Sequence, residues 1–245
     1  MPIEPMRRHA VAGLLAAAAL LAAALPWAHT SAGAAAPAAA EAGKLSAVDI
    51  LFEAKHLELM GKGAEVAYRI QRTVSDPKML GEPFSDDIRI GVNAVDPAGK
   101  REVVIKIFSG ERARDPRVET DMTGNPILVF FLDRSVANFG LVGGGNRNYL
   151  KQQFRDALRD RAQVDKVKVD YGGKAVDGFR IVVTPYAEDK NARRMLGYEG
   201  ARFTFVVSDK VPGYFVDMAS VFESTNKEAP RFEERITLQG TGAVK

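Results

Sequence analysis

The chain has 245 residues, of which 46% are hydrophobic and 27% charged, and this composition indicates a globular chain and excludes a disordered one. Because it contains no Cys, disulfide scaffolds, thiolate zinc sites, cysteine nucleophiles and the acylated cysteine of bacterial lipoproteins are excluded. The formal net charge is only +3, with acidic and basic residues interspersed, so the composition predicts no nucleic-acid partner.

The first forty residues have the pattern of a secretory signal peptide. Arg7 and Arg8 supply a basic start, and the segment 10–25 is uncharged and rich in Ala and Leu. This apolar segment is shorter than the roughly 20 residues that a membrane-spanning helix needs. We therefore predict that residues 1–40 are a cleaved signal peptide and that residues 41–245 form a single α+β domain in the periplasm. A retained N-terminal anchor is the alternative.

A helix is predicted at the start of the mature chain. Ser46 and Asp49 have the spacing of a capping box, and apolar residues then recur at helical spacing. Glycine is favoured just beyond the end of a helix. The helix is therefore expected to end near Gly61 or Gly63.

From Ala64 onward the apolar period changes to two, which is typical of half-buried strands. Strands are predicted around 64–71, 88–92, 103–107 and 118–122, with a turn at Asp96–Gly99. The short connections indicate antiparallel pairing.

Two helices are predicted in the middle of the chain. Asn125 and Pro126 form a helix start before a largely buried apolar stretch. A second, amphipathic helix follows the run Gly143–Gly145. The glycine run is either a hinge between the helices or, with Arg147, an anion cradle.

Strands resume after the second helix, and eight or nine are expected in all. The predicted fold class is α+β, with a curved, mostly antiparallel sheet that forms an unclosed barrel. This sheet packs against the leading helix and an inserted helical lid.

Catalytic chemistry has few candidates. His56 is the only histidine after residue 40, and no GxSxG nucleophile motif occurs. The chain is therefore predicted not to be an enzyme and to hold no metal or cofactor. A hydrolase that uses carboxylates alone remains open, with Asp86, Asp87, Glu188 and Asp189 as its candidate acids.

The apolar residues of the strands and helices predict a cavity between the sheet and the lid. Arg69 and Arg89 are candidate polar contacts for a ligand there. An ordinary filled core is the alternative that the same residues allow. The predicted lining consists of Tyr68, Ile90, Ile105, Ile107, Phe130, Phe131, Phe139, Phe203 and Phe205.

This layout resembles that of the periplasmic lipoprotein carriers of the LolA/LolB superfamily. The features shared are the signal, a leading helix, strands through 103–109, helices inserted at 125–161 and strands returning through 203–222. The resemblance is one of architecture, and the charged segment 111–117 departs from it. The resemblance implies an unclosed antiparallel barrel that binds acyl chains and catalyses no reaction.

The expected function is that of an exported, non-enzymatic carrier or binding protein for an acyl chain, a lipid or a lipoprotein. The alternative is an envelope module with a filled core that binds another protein.

Overall fold

A computed structural model describes residues 46–243, and its nine strands form one antiparallel sheet. The predicted signal peptide lies outside the described residues. The helices are α1 (Pro77–Leu80), α2 (Ile127–Val142) and α3 (Arg147–Asp160), with a π-helical segment at Asp49–Glu53 and 3-10 turns at Gly110–Arg112 and Ala192–Arg194. The strands are β1 (Ala64–Val74), β2 (Phe84–Val95), β3 (Arg101–Ile107), β4 (Arg117–Met122), β5 (Gln163–Tyr171), β6 (Lys174–Val183), β7 (Arg202–Val207), β8 (Phe215–Phe222) and β9 (Phe232–Ala243).

The sheet consists of two antiparallel meanders joined side by side. The strand order is β4-β3-β2-β1-β9-β8-β7-β6-β5, and the junction is the pairing of β1 with β9. The edge strands β4 and β5 do not pair with each other, so the sheet is unclosed. Charged residues alternate along both edges, which discourages pairing with another chain. The predicted α+β fold with an unclosed antiparallel sheet is confirmed.

The inserted helices follow from this strand order. Because β4 and β5 lie at opposite edges, the chain between them has to cross the sheet, and α2 and α3 lie in that crossing. The side chain of Asn125 begins the crossing, since its Oδ1 accepts from the amide of Ile127 at 3.0 Å. The predicted pair of central helices is therefore present.

The leading helix is much shorter than predicted. Its helical part is Asp49–Glu53, and the chain becomes extended at Ala54 instead of continuing to Gly61. The amide of Leu57 donates to the carbonyl of Thr123 at 3.1 Å. This long-range contact, which helical periodicity does not reveal, replaces the helical hydrogen bond expected of the Leu57 amide, and the neighbouring amides form short-range turns.

Helices α2 and α3 pack on one face of the sheet and fill the half of that face over β7 and β8. Aromatic rings from α2 and α3 meet rings on β7 and β8 edge to face, a favoured geometry for buried rings. The pairs, with their ring-centroid distances, are Phe131–Phe205 at 5.5 Å, Phe139–Phe222 at 5.5 Å and Phe154–Phe203 at 4.8 Å. The other half, over β2 to β4, is less completely filled.

Among the described residues, no single helix has the length and apolar character of a membrane span. Taken together, α2 and α3 meet those criteria only as a pair bent by 119°.

Candidate functional site: a groove between α2 and strands β2 to β4

A cavity of about 430 Å³ lies between α2 and the first meander. We call it the groove. Small-molecule sites commonly have volumes of about 300–1,000 Å³. Its lining is Ile88, Ile90, Ile105, Ile107, Arg114, Arg117, Glu119, Met122, Pro126, Ile127, Val129, Phe130, Asp133 and Arg134.

The floor of the groove is apolar and comes from two paired strands. Ile88 and Ile90 of β2 lie opposite Ile107 and Ile105 of β3 in the antiparallel register. Because side chains alternate across a strand, all four point to the same face. Each is at most 7% exposed, so the floor is already shielded from solvent.

The walls carry both apolar and charged groups. On α2, Ile127, Phe130 and Arg134 recur at helical spacing and all line the groove. On the edge strand β4, Arg117 and Glu119 line the opposite wall. The groove thus has an apolar floor and a charged rim.

The nine predicted lining residues separate into two groups. Ile90, Ile105, Ile107 and Phe130 line the groove, whereas five others are fully buried at 0% exposure. Those five belong to the hydrophobic core and do not line the groove: Tyr68, Phe131, Phe139, Phe203 and Phe205. Ligand contact by the first group remains a prediction.

Arg69 and Arg89, the candidate polar contacts, are not brought to the groove. Arg69 alternates with buried residues of β1, and Arg89 lies between the two floor isoleucines of β2, so both point to the opposite face of the sheet. Each pairs there with an acid, Arg69 with Asp87 at 2.9 Å and Arg89 with Glu65 at 3.1 Å.

A buried carboxylate lies beside the groove and links three elements. The side chain of Glu234 on β9 is 0% exposed. Arg134 of α2 donates to both of its oxygens, at 2.8 and 2.6 Å, and Arg72 of β1 donates at 3.3 Å. Asn138 of α2 contacts both Glu234 and Arg72. We call these four residues the Glu234 cluster.

The sequence prediction does not include Glu234, although a signal for it exists. Phe232, Ile236 and Leu238 alternate along β9, and Glu234 occupies the same face. A charged residue at a core position of a strand needs a buried partner. The partners are not apparent from the sequence, because Arg72 and Arg134 are separated from Glu234 by more than ninety positions.

A second buried polar group surrounds His56. Its ring stacks on Tyr214 at 4.7 Å and meets Phe215 edge to face. The Nδ1 atom accepts from the amide of Asn125 at 3.1 Å. The Asn125 side chain in turn donates to the Tyr68 hydroxyl at 2.9 Å. These contacts fix the start of α2 against the sheet.

Burial lowers the pKa of His56 from 6.5 to about 4, against a smaller opposite effect of the Ile50 backbone. As the pH falls, the unfolded chain therefore takes up a proton at His56 before the folded chain does. The contribution of the neutral His56 to the free energy of unfolding is complete above about pH 6.5 and is lost as the pH falls towards 4. The expected loss is up to about 3 kcal/mol. His56→Gln should flatten this part of the pH dependence of the free energy of unfolding, measured by urea titration. Equal pH dependence in both proteins would contradict it.

The candidate acids have structural partners. Asp86 is buried, which by itself raises its pKa, but hydrogen bonds from Ser109 and from the Asp87 amide outweigh this effect and lower the pKa. Asp189 accepts from the Tyr149 hydroxyl at 2.7 Å, and Glu188 lies 3.9 Å from Arg161. Within residues 46–243, no cluster of three metal-ligating side chains occurs.

The glycine run Gly143–Gly145 makes the bend between α2 and α3. Gly144 and Gly145 have positive φ angles of 69° and 102°, which glycine adopts without strain. The Asn146 side chain accepts from the amides of Asn148 and Tyr149, which an anion would otherwise use. The geometry fits the hinge interpretation.

No family model matches the chain, and no curated protein matches it. Two solved structures are similar at low identity. The complex of MucA and MucB from Pseudomonas aeruginosa matches with 15% identity and a TM-score of 0.36, over 80% of this chain and 56% of that chain. The lipoprotein LppX of Mycobacterium tuberculosis matches with 12% identity and a TM-score of 0.30, over 71% of this chain and 84% of that chain.

Proposed function

We propose that this chain is an exported, non-enzymatic binding protein that carries an apolar chain in the groove. The bound apolar chain is part of a lipid, a free acyl compound or a lipidated protein of the bacterial envelope. The proposed location of the protein is the periplasm. The single observation that supports this proposal is a groove of about 430 Å³ with an isoleucine floor beneath an inserted helix.

Binding would be driven by removal of hydrocarbon from water, at about 0.8 kcal/mol for each buried CH2 group. Because the floor isoleucines are already shielded, a long chain needs additional room. Val129 and Phe130 lie on the α2 side of the groove, and a small outward movement of α2 about the glycine hinge would supply that room.

Aromatic side chains fill the half of the sheet over β7 and β8. A ligand is therefore expected only in the groove over β2 to β4. If the groove binds no ligand, the alternative function, that of an envelope module that binds another protein, is favoured.

Two exposed valines provide a matched test of the groove. Val129 lines it and is 59% exposed, whereas Val118 is 55% exposed and does not line it. Because both are exposed, tryptophan is tolerated at either position. Val129→Trp is expected to block the groove and weaken binding of dodecanoate at least tenfold, while Val118→Trp leaves binding unchanged. Displacement of a fluorescent acyl probe measures the affinity.

A second variant places a charge on the floor. Ile105→Asp is expected to abolish binding, with circular dichroism used to check that the chain is folded. Phe131 is unsuitable for this purpose, since it packs against Phe205 and does not line the groove. Native mass spectrometry of the chain isolated from its own envelope fraction should show a bound acyl compound. Absence of binding by dodecanoate and dodecanol alike would refute the proposal.

A further inference from the structure

The rim of the groove carries more positive than negative charge. Arg114, Arg117 and Arg134 line it together with Glu119 and Asp133. Partners outside the groove compensate two of these charges, because Asp133 pairs with Lys151 at 2.6 Å and Arg134 pairs with Glu234. Three rim charges then remain, two of them arginines.

Arg114 and Arg117 have no ion pair with an acid among residues 46–243. The position of Arg114 is fixed at the end of β3, since its amide donates to the carbonyl of Ile107 at 3.0 Å. Arg117 stands directly opposite Ile105 in the register of β3 and β4. Both guanidinium-bearing residues are therefore held next to floor isoleucines.

The Glu234 cluster adds to this positive field. Arg72 and Arg134 share one carboxylate, so the cluster carries one excess positive charge. Its Arg134 also lies over the ring of Phe130, a lining residue, with 5.3 Å from guanidinium carbon to ring centroid. On the other side of this region, Arg114 lies 6.0 Å from the centroid of Phe108.

We infer that the groove takes a single-chain amphiphile with an anionic head group, whose head is bound by Arg114 and Arg117. This inference rests on the proposed function, because the acyl chain lies on the isoleucine floor. Guanidinium groups bind carboxylate and phosphate oxygens through paired, charge-assisted hydrogen bonds. A groove of about 430 Å³ suits one chain better than two.

The test compares two ligands of equal chain length, dodecanoate and dodecanol, on the full chain. A hydrogen bond to a charged group contributes about 1.5–3 kcal/mol, which corresponds to roughly 10- to 100-fold in affinity. Dodecanoate is therefore expected to bind roughly 10- to 100-fold more tightly than dodecanol at low salt, and added salt should reduce this preference.

The variant Arg114→Gln/Arg117→Gln removes the two rim charges. It is expected to bring dodecanoate to within about threefold of dodecanol while leaving dodecanol binding unchanged. The matched control Arg69→Gln/Arg89→Gln removes the same charge from the opposite face and should keep the preference. Glu119→Gln removes the opposing rim charge and should strengthen dodecanoate binding.

The outcomes separate the two proposals. If neither ligand binds, the groove proposal fails together with this inference. If both ligands bind equally, the groove proposal stands and the anionic head group is ruled out. If the control double variant loses the preference as fully as the rim variant, the groove proposal stands and binding of the head group by Arg114 and Arg117 is ruled out.

Discussion

Replacing Glu234 with alanine is expected to lower the free energy of unfolding by about 3–5 kcal/mol. The carboxylate is fully buried and accepts hydrogen bonds from Arg72 and Arg134, whose side chains are only 16% and 19% exposed. Removing it leaves two largely buried positive charges near each other without a counter-ion. Urea denaturation of the full chain measures the change.

The neighbouring Glu233 is the matched control. It lies on the same strand, its side chain is 30% exposed, and it pairs with the half-exposed Arg231 at 2.9 Å. Such surface pairs contribute about 0–1 kcal/mol, so Glu233→Ala should cost no more than that. Equal effects of the two substitutions would show that the Glu234 cluster is not stabilised by charge pairing.

A triple variant separates charge from packing in the Glu234 cluster. Replacing Arg72, Arg134 and Glu234 together by methionine or leucine leaves no uncompensated buried charge. Apolar replacement of a complete buried ion cluster is often neutral or stabilising. The triple variant is therefore expected to recover most of the stability that Glu234→Ala loses.

Phe203→Ala is expected to cost about 3–5 kcal/mol, because the cavity it leaves cannot be filled by its neighbours. The Phe203 ring is 0% exposed and contacts the rings of Phe154 on α3, Phe222 on β8 and Tyr186. For a chain of this size, each kcal/mol corresponds to about 2–4 °C. The melting temperature should therefore fall by roughly 10 °C in calorimetry.

Phe52 offers the same substitution at an exposed position. Its side chain is 45% exposed, so Phe52→Ala should change the stability by less than about 0.5 kcal/mol. A loss below about 1 kcal/mol for Phe203→Ala would mean that the filled half of the sheet is loosely packed. In that case a ligand site over β7 and β8 would have to be considered in addition to the groove.

The sequence determined the elements of the fold. Period-two alternation identifies β1, β2 and β3, and the Asn125–Pro126 pair identifies the start of α2, because these signals are local. The antiparallel class follows from short connections. The length of the leading helix was mispredicted, since the contact of Leu57 with Thr123 is long-range.

The tertiary structure alone decided which apolar residues line a groove. Phe130 and Phe131 are neighbours in sequence, yet the first lines the groove and the second packs against Phe205 in the core. Periodicity gives the face on which a side chain lies, whereas the packing of α2 on β7 and β8 decides which part of that face is filled. Strand order and register, which depend on long-range pairing, likewise place Arg117 of β4 opposite Ile105 at the groove.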